Sequence, residues 1–343
     1  MPEVLLLHAP NPLFETRRLV GLLAERVRGV ERVALHPHYV LPTFNRLSRA
    51  GTVVPVVHAF GGRALGLAVV SAKGPVVYTP TRFPRASDVA WMRAILRYRT
   101  LRIVCQSDAE QRAWVTGGVP VDRCVLIRPG VPLAKSVDTR ATVRARLGYR
   151  DTDRVVFTPL PAAGQGRADP VWTGCLLNLL DSNIKAVAWA EQGTDALRAL
   201  RTRLIAPDAM TVLEDASPEL GFLVADAILL PTSDFIPPTL IAMAMASGRP
   251  IVARTTAQAC EMIEDRHTAL LTKGRSPKVL AERVVDLFAD AELGRRIADR
   301  ARAEVYDYFL PSRMVGDYRT LYANANANAA APADRVTARP AAV

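Results

Sequence analysis

The chain has 343 residues, more than one core comfortably serves, which points to two domains of roughly 150 residues each. Half of the residues are hydrophobic and 22% are charged, a balance that excludes a disordered chain. The four cysteines (Cys105, Cys124, Cys175 and Cys260) are scattered, with no C-x-x-C pair and no histidine at ligand spacing, which argues against a zinc site or disulfide framework and for a reducing, cytoplasmic setting.

The net charge of +11 is uneven. Residues 1–150 hold 23 Lys/Arg and 9 Asp/Glu, or +14, leaving −3 for the remainder. Between Glu31 and Asp88 there is no acid at all, while Arg46, Arg49, Arg63, Lys73 and Arg82 fall there. Such a field attracts phospholipid headgroups, phosphorylated acceptors, acidic glycans or nucleic acid. The plainer alternative is a dispersed arginine-rich surface with no partner. No run of about 18 apolar residues exists, so no transmembrane helix is expected. MPEVLLLHAPNPLFE carries Glu3 and no basic flank, and reads as a buried first strand rather than a signal peptide.

In chain order, VLLLHA (4–9) is a strand and 16–28 a helix, with Leu19, Leu22, Leu23 and Val27 at helical spacing. RVALHPH and TVVPVVHAF supply further strands, the second entering a helix near 61–70. PVVYTP (75–80) is a strand, 86–98 a helix, RIVCQS (102–107) a strand, 108–118 a glycine-ended helix, and CVLIRPGV closes the half. After a polar stretch at 136–153 the pattern restarts with RVVFTPL, NIKAVAWA, MTVLED, AILLPTS, RPIVART and ALLTK as strands, most of them separated by helices. Continuous apolar strands alternating with helices predict parallel sheets covered on both faces, and two such blocks predict two Rossmann-like domains. From Ser276 the chain reads as helical through Tyr322. The alanine- and proline-rich end, ANANANAAAPADRVTARPAAV, reads as disordered.

The stretch ADAILLPTSDFIPPTLIAMAMASGRPIVA resembles the glycosyltransferase family 4 (group 1) signature: an aspartate-led strand, a Pro-Thr-Ser turn, a loop and a helix ending in Ala-Met-Ala-Ser-Gly-Arg-Pro. The following IEDRHTALLTKGRSPKVL and, in the first half, VVPVVHAFGG, GPVVYTP and RIVCQSDAEQ resemble the family's other strand ends in order. The resemblance implies an α/β fold of GT-B type, with two Rossmann-like domains facing across a cleft. It implies an acceptor-side domain at 1–148, a nucleotide-sugar-side domain at 149–303, a crossover helix returning to the first domain at 304–322, and a tail at 323–343. No metal ion and no cofactor are implied; the nucleotide sugar is substrate, and transfer would be of retaining type.

Transfer from a nucleotide sugar leaves a diphosphate, which a helix N-terminus and Arg or Lys side chains stabilise. The resemblance places that helix start at Ser233, Pro238, Thr239 and Leu240, with Arg167 and Arg82 as phosphate ligands and Gly193 and Glu214 on the nucleotide side. His58 stands at the first histidine of the family's His-x-His-Gly, and Asp234 lies one position from a family glutamate; these two are the catalytic candidates. The paired family glutamates correspond to Phe235 and Met243, the arginine after the first strand of the second domain to Leu160, and a strand-end histidine to Thr81. Arg128, before Pro129, borders the interdomain linker.

Two readings stay open. One is a glycosyltransferase acting on an anionic or membrane-associated acceptor, peripheral to the inner face of the membrane, where the helix VAWMRAILRYR (89–99) supplies apolar, aromatic and arginine groups. The other is a catalytically inactive GT-B module that scaffolds or partners an active transferase. A nucleic-acid binder rests on charge alone, since aromatics are not interleaved with the arginines.

Overall fold

The computed structural model describes residues 3–36, 38, 40–48, 55–131, 139–160, 168–190, 194–202, 207–213, 217–232, 236–274 and 276–330. The chain divides into two compact units. Unit 1 comprises 1–106, 110–127 and 312–343; unit 2 comprises 107–109 and 128–311.

The chain begins with β1 (Val4–His8), α1 (Phe14–Arg26), β2 (Val30–Ala34), α2 (Val40–Ser48) and β3 (Val56–Phe60). It continues through α3 (Gly62–Ser71), β4 (Val76–Thr79), α4 (Ala86–Leu96), β5 (Leu101–Cys105), α5 (Asp108–Thr116) and β6 (Cys124–Leu126). Unit 2 adds α6 (Arg140–Arg146), β7 (Arg154–Leu160), α7 (Ala168–Leu180), β8 (Ile184–Ala190), α8 (Thr194–Arg201) and β9 (Met210–Leu213). Then follow α9 (Pro218–Val224), β10 (Ala227–Leu230), α10 (Pro238–Ala246), β11 (Ile251–Arg254), α11 (Ala257–Met262) and β12 (Leu270–Thr272), and the helices α12 (Pro277–Ala289), α13 (Ala291–Tyr308) and α14 (Pro311–Ala330).

Unit 1 holds a six-stranded parallel sheet in the order β2-β1-β3-β4-β5-β6. Its inner strands β1, β3 and β4 are buried almost throughout because both faces are covered, whereas the edge strand β2, with Glu31 and Arg32, is only partly buried. Leu5, Leu7, Val57 and Ala59 pack against α2, α3, α4 and α5, through residues such as Leu47, Leu65 and Met92. Val4, Leu6, Val56 and Phe60 pack on the other face against α1 and α14, through Leu23, Val315 and Tyr318. The C-terminal helix is thus part of the core of the unit that the N-terminus starts.

Unit 2 holds a second six-stranded parallel sheet, in the order β12-β11-β10-β7-β8-β9. Strands β7 to β9 step outward one way and β10 to β12 the other, so the order reverses between β7 and β10. One face buries Val156, Leu229 and Val252 against α7, α12 and α13, through Leu177, Val284 and Ile297. Polar residues placed just ahead of the helices fix their starts. Ser217, Thr256, Ser276 and Asp290 accept from the amides of Glu219, Ala259, Lys278 and Leu293 at 2.9–3.3 Å.

Three segments differ from the reading of the sequence. Residues 40–48 form α2, in which Pro42 falls in the first turn, where its missing N–H costs nothing. Within the polar stretch, α6 forms around buried Val143 and Arg144. The Arg144 guanidinium donates to the carbonyls of Val224 (3.2 Å), Arg150 (3.1 Å) and Asp153 and to the Asp226 carboxylate (3.1 Å), so a charged network substitutes for an apolar stripe. Finally, α14 runs through Ala330, eight residues beyond Tyr322, where composition pointed to disorder. Alanine is the strongest helix former, and Ala325 packs against the core, which extends the helix.

Candidate functional site

In an open parallel sheet, ligands bind outside the carboxyl ends of the strands where the strand order reverses, because the neighbouring loops there part in opposite directions. In unit 2 that point lies beyond Leu160 of β7 and Leu230 of β10. In sequence, residues 161–167 follow β7 and 233–235 precede α10; these lie outside the described residues, and with them Arg167, Ser233, Asp234 and Phe235, as do Gly193 and Glu214.

The helix that follows β10 is described. Every residue of α10 from Pro238 to Met245 is buried, and its first turn carries no acid. Pro237 is the N-cap and Pro238 the first helical residue, and proline has no N–H to offer a phosphate. The Leu240 amide donates to the Pro237 carbonyl at 2.9 Å and that of Ile241 to the same oxygen at 3.3 Å. Of Pro238, Thr239 and Leu240, therefore, Thr239 supplies the amide not taken up by the turn itself. The helix dipole is intact; its donor set is thin. Met243 is buried in the same helix.

Other groups stand at or near the carboxyl edge of this sheet. Arg254 ends β11, beside β10, and is buried. Sequence reasoning missed it; a charged residue closing an apolar strand was the available signal. Thr232, also buried, follows β10. At the opposite end of the strands, Asp226 binds the Val155 amide (2.8 Å), Arg144 (3.1 Å) and Arg140, and so serves α6 and the start of the sheet. Arg128 pairs with Asp108 at 2.6 Å and lies 3.9 Å from Glu261. Glu261 accepts from the amides of Asp108 and Ala109 at 2.7 and 2.9 Å.

Two expected site residues lie in unit 1. Arg82 grips Asp88 through both terminal nitrogens, at 2.6 and 2.7 Å, and Asp88 also accepts from the Arg85 amide at the entry to α4. The Arg82 side chain is 46% exposed. Exposed pairs of this kind are worth about 0–1 kcal/mol, so a phosphate could displace Asp88 at small cost. Arg82→Ala is accordingly expected to lower stability by less than about 1 kcal/mol in urea denaturation; a larger loss would make the pair part of the α4 entry rather than a releasable cation.

His58 has no exposed surface. Its Nδ1 lies 2.7 Å from the Tyr322 hydroxyl and its Nε2 2.8 Å from Thr79 Oγ1. Tyr318 also hydrogen-bonds Thr79, and the Phe60 ring stacks on the imidazole at 4.1 Å. Burial pushes the ring down to about pKa 3, so it is neutral, with one nitrogen donating and the other accepting. His58 thereby pins β3 and β4 to α14 inside the core of unit 1. Nothing near His58 in sequence identifies its partner, which is 264 residues away. The available signal was the Tyr318–Tyr322 spacing, four residues apart and so on one helix face, which sequence reasoning did not use. Glu110, also buried in this unit, accepts from the Gln106 amide at 2.8 Å, and burial raises it to about pKa 8. Among the described residues no group of three or more His, Cys, Asp or Glu is arranged to hold a metal ion.

Comparison with known proteins bears on this geometry. Residues 194–290 match the family model of glycosyl transferases group 1. Anabaena HepE, solved in complex with UDP and glucose, superposes with a TM-score of 0.79 at 17% identity, covering 94% of this chain and all of that one. Sucrose-phosphate synthase from Thermosynechococcus elongatus superposes at 0.75 with 15% identity, over 96% of this chain and all of that one. In sequence, N-acetyl-alpha-D-glucosaminyl L-malate synthase of Bacillus anthracis is 32% identical over 79 residues, which are 23% of this chain and 21% of the relative. The chain thus spans about a fifth of that relative in the match. The fold is that of the GT-B glycosyltransferases, with the group 1 resemblance falling in unit 2.

Proposed function

We propose, for a chain of GT-B fold with a group 1 glycosyltransferase segment at 194–290, that it binds a nucleotide sugar at the carboxyl edge of the unit 2 sheet and transfers the sugar to an anionic or membrane-associated acceptor. The observation that carries the reading is the strand-order reversal between β7 and β10, with α10 starting beyond it. A diphosphate placed there meets the positive end of the α10 dipole and the Thr239 amide, within a unit whose neighbouring strand ends in Arg254. On the family resemblance, Arg167, Ser233 and Arg82 are assigned to the phosphates, Asp234 to catalysis, and Gly193 and Glu214 to the nucleotide side. His58 holds the fold of unit 1 and takes no part in proton transfer, because a buried neutral ring with both nitrogens engaged has no path to substrate.

A second reading, a GT-B module that binds but does not turn over its ligand, is favoured by α10 itself. The family's paired glutamates are here Phe235 and Met243, and two prolines thin the donor set. Each charge-assisted hydrogen bond missing from such a site is worth roughly 1.5–3 kcal/mol, and one lost oxyanion donor typically costs roughly 10²–10³ in rate. Calorimetric titration of the chain with UDP-, GDP- and ADP-sugars is expected to show saturable binding of one base class. Folded protein that takes up none of them rules out transfer. Binding without release of nucleoside diphosphate, across a panel of anionic and lipid-linked acceptors, selects the second reading.

A further inference from the structure

We infer that the outer surface of the α2–α3–α4 helix layer of unit 1 docks on an anionic lipid bilayer. This rests on the acceptor half of the proposed reading, the part that calls for a membrane-associated partner, and names the surface that meets it.

The three helices cover one face of the same sheet, with Leu47, Leu65 and Met92 turned inward. Turned outward are Val40 (40% exposed), Leu41 (68%), Val70 (75%), Trp91 (42%) and, just past the end of α4, Tyr98 (88%). On α4 the exposed residues Ala90, Trp91 and Ala94 share one side and lead on to Tyr98, so the helix has an apolar outer stripe as well as its buried inner one. The charge of the segment is one-sided. From Arg32 to Ser107 there are eleven Lys/Arg and a single acid, Asp88, and that carboxylate is held by Arg82 and the Arg85 amide. Arg63, Lys73 and Arg97 are exposed within the same layer.

Each half of this pattern narrows the partner. An acid-poor basic surface attracts phosphate, whether in a nucleic acid or in lipid headgroups. Exposed leucine and valine gain nothing from a polyphosphate backbone but do gain from acyl chains, and Trp and Tyr favour the headgroup boundary, where an apolar ring and a polar edge are both satisfied. Among the described residues no helix is long and apolar enough to cross a membrane, so the contact is peripheral.

The test uses the full chain and vesicles of phosphatidylcholine, alone or mixed with phosphatidylglycerol. Co-sedimentation is expected with the mixed vesicles only, falling as salt is raised. Leu41→Asp and Trp91→Asp should each lower binding at least tenfold, as should the paired charge reversal Lys73→Glu with Arg97→Glu. All of these positions are exposed, and unchanged thermal melts are expected to confirm that the variants fold. Brominated lipid should quench a component of the tryptophan emission that disappears in Trp91→Phe. No sedimentation with anionic vesicles, or binding indifferent to all of these variants, would overturn the proposal. RNA or an acidic protein that displaces the vesicles and itself depends on Leu41 and Trp91 would also overturn it, by reassigning the surface. Nucleotide-sugar titration of the same samples separates the two readings. Vesicle binding without sugar-nucleotide uptake leaves the surface standing and removes transfer; the reverse removes the surface alone.

Discussion

Gly221→Ala is expected to lower the midpoint of thermal unfolding by about 6–12 °C, the equivalent of about 3 kcal/mol for a unit of this size. Gly221 sits in α9 where the helix lies flat on β7. A Cβ built there would stand 2.0 Å from Cε2 and 2.3 Å from Cζ of Phe157, well inside van der Waals contact. The ring has nowhere to go. Phe157 is fully buried and is met edge-on by Phe222, with centroids 5.0 Å apart and planes at 79°. Adding one methyl group therefore pushes α9 off the sheet or drives Phe157 out of its rotamer, and both outcomes destabilise. Phe157→Leu in the Gly221→Ala background should recover part of the loss, because the smaller side chain vacates the space the methyl needs; a double-mutant cycle measures this coupling. An unchanged midpoint in Gly221→Ala would show that α9 does not pack as described.

The second large effect is a pH dependence with two opposed sources in unit 1. His58 is held near pKa 3 by burial, against 6.5 when free, so protons favour the unfolded chain between those values. Its contribution is complete above pH 6.5 and is lost as pH falls toward 3. Glu110 is raised to about 8 from 4.5, again by burial, so the folded state keeps a proton that the unfolded state releases. Its contribution is complete below pH 4.5 and is lost as pH rises toward 8. Each slope is about 1.4 kcal/mol per pH unit. The two cancel between pH 4.5 and 6.5 and leave a plateau, with stability falling on either side. Glu110→Gln keeps an acceptor for the Gln106 amide and removes the charge. It should abolish the alkaline fall and stabilise the protein by on the order of 4 kcal/mol near pH 8.5, while leaving the acid fall in place. Denaturant titrations from pH 4 to 9 read this directly. A Glu110→Gln profile parallel to that of the natural sequence would refute the buried, proton-bearing carboxyl.

The architecture was legible in the sequence because parallel strands covered on both faces are continuous apolar runs, and VLLLH, VVYT and AILL admit few other readings. The start of α10 was legible from its two prolines ahead of an apolar helix. The segments that escaped are held by interactions with no local signature. Among them, α6 depends on Arg144 reaching the backbone carbonyls of Arg150, Asp153 and Val224, and α2 keeps Val40 and Leu41 in solvent, where a pattern reader expects core. His58, which lies within β3 rather than after it, looked like chemistry for the same reason. Its surroundings are set by Thr79 and by tyrosines from the far end of the chain, so a ring expected at an open strand end is sealed beneath a helix. At the proposed donor site the resemblance sets Phe235 and Met243 against the family's paired glutamates, and the structure adds what composition could not: Pro237 and Pro238 at the start of α10 offer no amides, and Arg254 brings a cation to the neighbouring strand end.

The return of α14 to the first sheet has a consequence for how the molecule comes into being. Unit 2 is almost one unbroken stretch, 128–311, whereas unit 1 joins both ends of the chain. During synthesis, the earlier-made part of unit 1 waits with Phe60, Val77 and the His58 ring uncovered until α14 emerges, while unit 2, made in between, can close on its own. A nascent chain halted at Pro311 would thus carry a finished second unit and an open first one, and the order of birth and the order of completion would run in opposite directions.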